Sequence, residues 1–231
     1  MDRPYIICHM VTSVDGKVTG DFLSSRECEK AVEIYYEINR NYKPDGFICG
    51  RVTMEGSFTG GWYPDLSECS PCDIDEDFIP DKLTGFYAVS FDPKGKLGWK
   101  EKFIVDDDPG YGNAQIVEVI TESVDKRYLG YLREKGIAYI FAGKTEIDVE
   151  TALAKLKNLM GINTLLLEGG SIVNGYFERA DAVDELSLVV APTVASCDDK
   201  PLFMNSTFSS YELKEMKQYG SVIWLNYRRT K

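Results

Sequence analysis

The sequence predicts an α/β fold with a mostly parallel central sheet and antiparallel strands at its C-terminal end. Short apolar runs alternate with segments of helical period, most regularly over residues 124–167, where they form a βαβαβ series. Such a series implies parallel strands joined by right-handed crossovers. The apolar runs of this series are apolar at nearly every position, as expected of strands that helices cover on both faces.

The individual strands and helices are predicted from the spacing of apolar residues and from the residues typical of turns. Strands are predicted, in chain order, at residues 5–11, 47–49, 86–91, 116–121, 138–142, 164–167 and 185–191. The first helix is predicted to begin at an N-cap signal in residues 24–27 and to end near residue 41. Two further helices are predicted at 124–135 and 149–160, and short helices are predicted after Gly50 and after Ser171. Residues 211–229 alternate like strands and are interrupted at Gly220, which indicates a hairpin or added edge strands.

We expect residues 1–231 to form a single domain, because a chain of this length can bury one substantial core or at most two small ones. Residues 59–82 depart from the pattern, since they are acidic, rich in glycine and proline, and without period. This segment is therefore predicted to be a loop insertion or a lid, and not part of the core.

Charge and hydropathy narrow the possible partners. With 26 basic and 37 acidic residues the formal net charge is −11, which disfavours binding to nucleic acid or to anionic lipid. No apolar run approaches the roughly 18 residues of a membrane span, and the N-terminal residues lack the layout of a signal peptide. These features predict a cytoplasmic protein without a membrane partner.

Histidine and cysteine usage argues against several kinds of site. The sequence contains one histidine, His9, which excludes mechanisms that need a pair of histidines, and we expect it to be a half-buried structural residue. Cys69 and Cys72 have the spacing of half a metal site, but no second pair accompanies them, so no metal is predicted. The acidic residues 73–77 are interpreted as a solvated surface.

Two junctions of strand, glycine and helix are the candidate ligand sites, one at Gly50 and one at Gly169 and Gly170. Glycine lets an anion approach the backbone, and the N-terminus of the following helix offers N–H donors and a positive dipole end. Two such junctions suit a dinucleotide diphosphate, although either one is equally well explained as a sharp turn. A G-x-G-x-x-G motif is missing from the sequence, so the common Rossmann arrangement is not predicted.

Residues 13–17, 50–53 and, most specifically, 165–195 resemble the pyrimidine reductases of riboflavin biosynthesis, the reductase half of the bifunctional deaminase-reductase. The resemblance implies a dihydrofolate reductase-like three-layer sandwich. It also implies a homodimeric, NADPH-dependent enzyme that reduces the ribosyl group of a pyrimidine intermediate, with hydride passing from the nicotinamide to C1 of a ribosyl Schiff base. Because the zinc motif of the deaminase half is missing from this sequence, we expect the reductase step alone.

Residue roles carry over by position. The resemblance implies that Asp15 and Glu168 are catalytic and that Ser13 and Glu168 bind substrate. The expected cofactor contacts are Gly50, Arg51, Thr53, Ser57, Gly169, Gly170, Ser171, Ile172 and Asn174. Arg51 is also a candidate for the 2′-phosphate because a guanidinium beside a helix start can grip phosphate bidentately.

Plainer interpretations of these residues remain open. Asp15 is also explained as the acidic residue of an Asp-Gly turn, Glu168 as a carboxylate stabilised by a helix dipole, and Arg51 as an exposed surface residue. An arginine that binds the substrate phosphate in the family aligns with Tyr36, which puts recognition of a phosphate in question.

Two other functions are compatible with this fold. One is dihydrofolate-type reduction of another heterocycle, which normally needs a carboxylate on the first long helix. The carboxylates available there follow the polar face of the helix and are Glu27, Glu29, Glu33 and Glu37. The other is a dinucleotide-binding module without chemistry.

Overall fold

A computed structural model describes residues 2–230. They form two compact units. The first unit is Pro44–Leu165 with the short N-terminal stretch that ends at Pro4, and the second is Tyr5–Lys43 with the chain from Leu166 onward. That residues 1–231 act as a single reductase domain stays a prediction.

Nine strands and five α-helices are described. The strands are β1 (Tyr5–Thr12), β2 (Gly46–Gly50), β3 (Tyr87–Phe91), β4 (Gln115–Ile120), β5 (Ala138–Phe141), β6 (Thr164–Leu167), β7 (Glu185–Val190), β8 (Tyr211–Tyr219) and β9 (Val222–Arg229). The α-helices are α1 (Glu29–Tyr42), α2 (Arg51–Met54), α3 (Lys126–Lys135), α4 (Val149–Met160) and α5 (Ser171–Arg179). Shorter helical turns cover Asp21–Ser24, Glu55–Thr59 and Leu66–Glu68.

In the first unit four strands pair in the order β5-β4-β3-β2, and every pair is parallel. Its two long helices begin and end where the sequence supplies caps. The Asp125 and Asp148 carboxylates accept hydrogen bonds from Arg127 N at 2.8 Å and Thr151 N at 2.6 Å. Both helices end at a glycine with positive φ, which lets the chain leave the helix without a Cβ clash.

In the second unit β1 pairs in parallel with β7, β7 pairs antiparallel with β9, and β8 and β9 form an antiparallel hairpin. The hairpin turns at Gly220, whose φ is 67°. Apolar side chains of α1 pack with residues of β1, β7 and β9, including Val11, Ile34 and Trp224. The predicted mostly parallel strands with antiparallel strands at the C-terminal end are confirmed.

Helix α1 begins later than predicted. Residues 24–27 were expected to carry the N-cap, but α1 begins at Glu29 and no side chain caps it. The Ser25 hydroxyl instead donates to Phe22 O at 2.7 Å, so it closes the helical turn Asp21–Ser24. The prediction was wrong because a serine hydroxyl satisfies a nearby carbonyl as readily as a helix terminus.

The acidic segment 59–82 is attached to the edge strand of the first unit. Phe78 forms an antiparallel bridge with Tyr139 of β5, and the Asp77 carboxylate accepts a hydrogen bond from Phe141 N at 2.8 Å. Lys155 Nζ donates to the same carboxylate at 2.9 Å. These contacts cover backbone groups of an otherwise unpaired strand edge, which makes this segment a strap along β5.

His9 was expected to be half-buried but is fully buried in the second unit. Its ring stacks on Tyr35 with centroids 4.3 Å apart, and its nitrogens lie 2.9 Å from Ser187 Oγ and 3.0 Å from Tyr35 O. Burial lowers the His9 pKa to about 4, so the ring is neutral near pH 7. These contacts are those expected of a structural residue.

None of the helices between residues 2 and 230 has the length and apolarity that crossing a membrane requires.

Candidate functional site

The turn after β1 carries Ser13 and Asp15 in direct contact. Ser13 Oγ donates to Asp15 Oδ1 at 2.6 Å and accepts from Lys17 N at 2.9 Å, and Ala195 N donates to Asp15 Oδ1 at 3.0 Å. The hydrogen bond from Ser13, reinforced by that from Ala195, lowers the pKa of Asp15 below its usual value. Asp15 therefore acts as an ionised acceptor near neutral pH, and it holds the turn to the segment after β7.

Glu168 follows β6 directly and is 7% exposed. Asn39 Nδ2 of α1 donates to Glu168 Oε1 at 2.6 Å. The next residue, Gly169, has a φ of 101°, and a Cβ placed there would lie 3.3 Å from Met10 Cε. The positive φ favours glycine at this bend, whereas the steric conflict is mild because Met10 Cε is the end of a flexible side chain.

The Gly169–Gly170 peptide bond is cis, and Gly170 is the N-cap of α5. Because Gly170 has no side chain, the N–H groups of the first turn of α5 have no side-chain cap. Ile172 in that turn is 42% exposed. This helix end presents backbone donors and the positive end of the helix dipole, which together suit an anion.

Ser171 and Asn174 use their side chains to hold the chain's own segment 201–204. Ser171 Oγ donates to Pro201 O, and Asn174 Nδ2 donates to Leu202 O at 3.2 Å. Asn174 Oδ1 is buried and has no hydrogen-bond partner among the residues described. These contacts support the shape of the loop, so the hydrogen-bond donors without a side-chain cap at this junction are backbone N–H groups of the first turn of α5.

The other glycine junction lies in the first unit. Gly50 ends β2 and is the N-cap of α2, which continues into the helical turn Glu55–Thr59. Arg51 Nη1 donates to the Glu55 carboxylate, and both side chains are about one-third exposed. Thr53 is half-buried, and Ser57 is exposed. The guanidinium is thus held in place and remains accessible to solvent.

Two buried carboxyl groups were not identified from the sequence. Glu118 of β4 and Asp92, directly after β3, are fully buried in the first unit. Trp99 Nε1 donates to Glu118, and Leu97 N donates to Asp92 at 2.8 Å. Burial raises the pKa of both groups, that of Glu118 well above its usual value, and the Asp92 charge raises it further. A glutamate inside the otherwise apolar run 116–120 was the available signal.

The structure divides the predicted site residues between its units. Ser13, Asp15 and the contiguous residues from Glu168 to Asn174 belong to the second unit, and residues 50–57 belong to the first. Within residues 2–230, no group of three or more His, Cys, Asp or Glu side chains is arranged to hold a metal ion.

Comparison with known families now adds to this geometry. The family model described as the RibD C-terminal domain matches residues 101–225, more than half of the chain. The chain belongs to this family. Glu168, the two glycines after it and helix α5 all lie within the matched residues.

Curated relatives share moderate sequence identity. The chain is 27% identical over 209 residues to 2,5-diamino-6-ribosylamino-4(3H)-pyrimidinone 5′-phosphate reductase of Aquifex aeolicus, covering 87% of this chain and 82% of that protein. It is 29% identical over 210 residues to the Kluyveromyces lactis protein of the same name, covering 83% of this chain and 73% of that protein. Both relatives are thus named as reductases of a pyrimidinone 5′-phosphate.

Solved structures show the fold. A pyrimidine reductase-like protein of Corynebacterium diphtheriae has a TM-score of 0.71 at 15% identity, covering 99% of this chain and 92% of its own. Riboflavin biosynthesis reductase Rib7 of Saccharomyces cerevisiae has a TM-score of 0.63 at 16% identity, covering 99% and 90%. Dihydrofolate reductase of Enterococcus faecalis has a TM-score of 0.50 at 11% identity, covering 98% and 97%. The predicted dihydrofolate reductase-like fold is confirmed.

Proposed function

We propose that this protein is an NADPH-dependent reductase of a pyrimidine metabolite, acting on 2,5-diamino-6-ribosylamino-4(3H)-pyrimidinone 5′-phosphate or a close analogue. The observation that carries the proposal is the match to the RibD C-terminal domain family over the residues that include Glu168 and the start of α5. The direct test is NADPH consumption with this pyrimidine and a panel of other heterocycles. Cofactor binding without turnover on any of them would instead indicate a dinucleotide-binding module.

The cofactor assignment is supported by the chemistry of the groups present. The uncapped first turn of α5 offers backbone N–H donors to a diphosphate, and the absence of side chains at Gly169 and Gly170 leaves them approachable. Residues from the first unit, Gly50, Arg51, Thr53 and Ser57, are proposed to contribute to the same function. When bound, NADPH supplies the hydride. Backbone recognition explains how a chain of net charge −11 would hold a strongly anionic ligand.

The protein's own residues have separate proposed roles. Glu168 accepts a hydrogen bond from the substrate and keeps the reacting carbon at near-attack distance. Asp15, with its lowered pKa, is suited to stabilise positive charge on an iminium carbon and not to donate a proton. Ser13 holds Asp15 in place through the hydrogen bond between them.

Replacing Glu168 by glutamine should lower kcat/KM for the pyrimidine by roughly 10- to 100-fold, because the side-chain shape is kept while a carboxyl acceptor is replaced by a weaker amide acceptor. The Kd for NADPH should not change. Steady-state kinetics together with fluorescence titration of the cofactor measure both quantities. Glu37→Gln, an exposed change on α1, is the control. If Glu37→Gln abolished activity and Glu168→Gln did not, dihydrofolate-type chemistry would be favoured.

Replacing Arg51 by alanine should raise the KM for NADPH about tenfold and leave the KM for NADH nearly unchanged, because only NADPH carries the 2′-phosphate. Glu55→Gln keeps the guanidinium and removes its partner, so it should affect NADPH much less. Paired KM measurements with the two cofactors check this result. An equal effect of Arg51→Ala on both cofactors would contradict the role.

We further propose that the protein works in the cytoplasm as a homodimer on a small-molecule substrate, without nucleic-acid or membrane partners. The support is the family resemblance and the acidic composition. Light scattering coupled to size exclusion tests the oligomeric state.

A further inference from the structure

One face of α1 is attached to the rest of the second unit by polar contacts. Tyr35, Asn39 and Tyr42 follow a spacing of four and then three residues, so they share a face of the helix. Tyr35 O lies 3.0 Å from His9 Nε2, Asn39 Nδ2 donates to Glu168 Oε1 at 2.6 Å, and Tyr42 OH donates to Glu185 Oε1 at 2.8 Å. Three separate polar contacts therefore hold this face of α1, in addition to the apolar packing of the helix.

The middle contact is the unusual one. Asn39 is 3% exposed in the interior of a helix, a position where asparagine has lower helix propensity than alanine and where an unbonded amide is costly to bury. Its amide donates directly to a carboxylate that is itself buried. An amide does not ionise near neutral pH, so Asn39 remains a hydrogen-bond donor to Glu168 across the working pH range.

We propose that Asn39 is a positioning residue that holds the Glu168 carboxylate in the orientation in which it accepts a hydrogen bond from an N–H or O–H donor of the pyrimidine substrate. This inference rests on the proposed function, in which Glu168 contacts that substrate. The physical gain is preorganisation: a carboxylate already fixed by its neighbour loses little rotamer freedom when the substrate binds.

The Cys8 thiol lies within range of the charges of both Glu168 and Glu178, and Glu178 is paired with Arg229. Burial raises the pKa of the Cys8 thiol on β1, with added effects from the charges of Glu178 and Glu168, so Cys8 stays protonated. His9, the neighbour of Cys8 on β1, stays neutral because its pKa is lowered to about 4. A new titration between pH 5.5 and 8 in an Asn39 variant would therefore report on the contact between residues 39 and 168.

The test replaces Asn39 by aspartate. A second carboxylate against Glu168 repels it unless the pair holds a proton, so kcat should fall about tenfold at pH 8. Relative to the wild-type enzyme, activity should recover as the pH is lowered to about 5.5, because one proton then bridges the pair. The Kd for NADPH should stay unchanged. Asn41→Asp places the same charge on the exposed side of α1 and should give a wild-type pH profile.

Two further variants separate positioning from a structural role. Tyr42→Phe removes the neighbouring contact to Glu185, so it should lower the Tm without changing the pH profile of kcat. Asn39→Leu removes the donor without adding charge, so it should lower kcat about tenfold at every pH. It also tests the positioning role if Asn39→Asp does not fold.

The possible outcomes are distinct. If Asn39→Asp follows the same pH profile as Asn41→Asp, or if Asn39→Leu keeps wild-type kcat, the positioning role is overturned while the proposed function stands. If the wild-type protein does not reduce the pyrimidine, the proposed function itself fails.

Discussion

Gly175→Ala is expected to destabilise the second unit by about 3 kcal/mol, near the upper end of the range for overpacking. Helix propensity alone predicts the opposite sign, since alanine in place of a mid-helix glycine is worth roughly 1 kcal/mol. Contact decides the outcome, because a Cβ at residue 175 would lie 1.6 Å from Met204 O. The atom in the way is backbone, and Met204 N also donates to Ser171 O at 3.0 Å, so the segment cannot move aside without losing hydrogen bonds.

Chemical denaturation and the Tm of the variant measure this loss. Gly56→Ala is the matched control, because a Cβ at residue 56 would meet no atom within 4 Å. It should be neutral or slightly stabilising. A Gly175→Ala variant as stable as the wild-type protein would show that the segment 201–204 does not lie against α5 in solution.

Glu118→Gln is expected to stabilise the first unit by about 2 kcal/mol at pH 8, because it removes the cost of a buried charge while keeping an acceptor for Trp99 Nε1. The direction of the pH dependence follows from the raised pKa. At Glu118 the folded protein keeps a proton that the unfolded chain releases near pH 4, so the contribution of this group to stability is fully present below about pH 4 and is lost as the pH rises toward the folded-state pKa.

Free energies of unfolding measured between pH 4 and 8 test this expectation. The wild-type and Glu118→Gln values should converge near pH 4 and separate as the pH rises. Glu122→Gln, an exposed change shortly after the same strand, should stay within about 0.5 kcal/mol of the wild-type protein throughout. Parallel wild-type and Glu118→Gln curves would contradict the raised pKa of Glu118.

The strands and long helices were predictable because local pattern and tertiary environment agree. The runs at β5 and β6 are apolar at nearly every position, and these strands are largely buried. Helices α3 and α4 have an aspartate at the N-cap and a glycine just past the end, and α4 has its predicted bounds, whereas α3 begins at Lys126 and not at residue 124 as predicted. At the start of α1 the local pattern and the tertiary structure disagree, because Ser25, which resembles an N-cap residue, donates its hydrogen bond to the preceding turn.

The sequence predicted the features of the candidate site that depend on local backbone geometry. It did not predict the hydrogen bonds between residues that are far apart in the chain. Glycines after a strand mark a bend and a helix start, so the junctions at Gly50 and at Gly169 were visible as local features. Asn39 and Glu168 are 129 positions apart, and the sequence contains no local sign that they form a hydrogen bond. Segment 59–82 shows the same limit, because its composition predicts a loop while its contacts with β5 depend on residues far along the chain.

By itself, the sequence determined the α/β class, the order of the elements, the glycine-marked helix starts and the acidic surface, because each follows from residue types within a few positions of one another. The tertiary structure alone decided that Ser171 and Asn174 hold their own chain, that Gly175 has no room for a side chain, and that Asn39 donates to Glu168. The physical reason is that close packing and hydrogen bonding between distant residues depend on distances within tenths of an ångström, which local pattern does not specify.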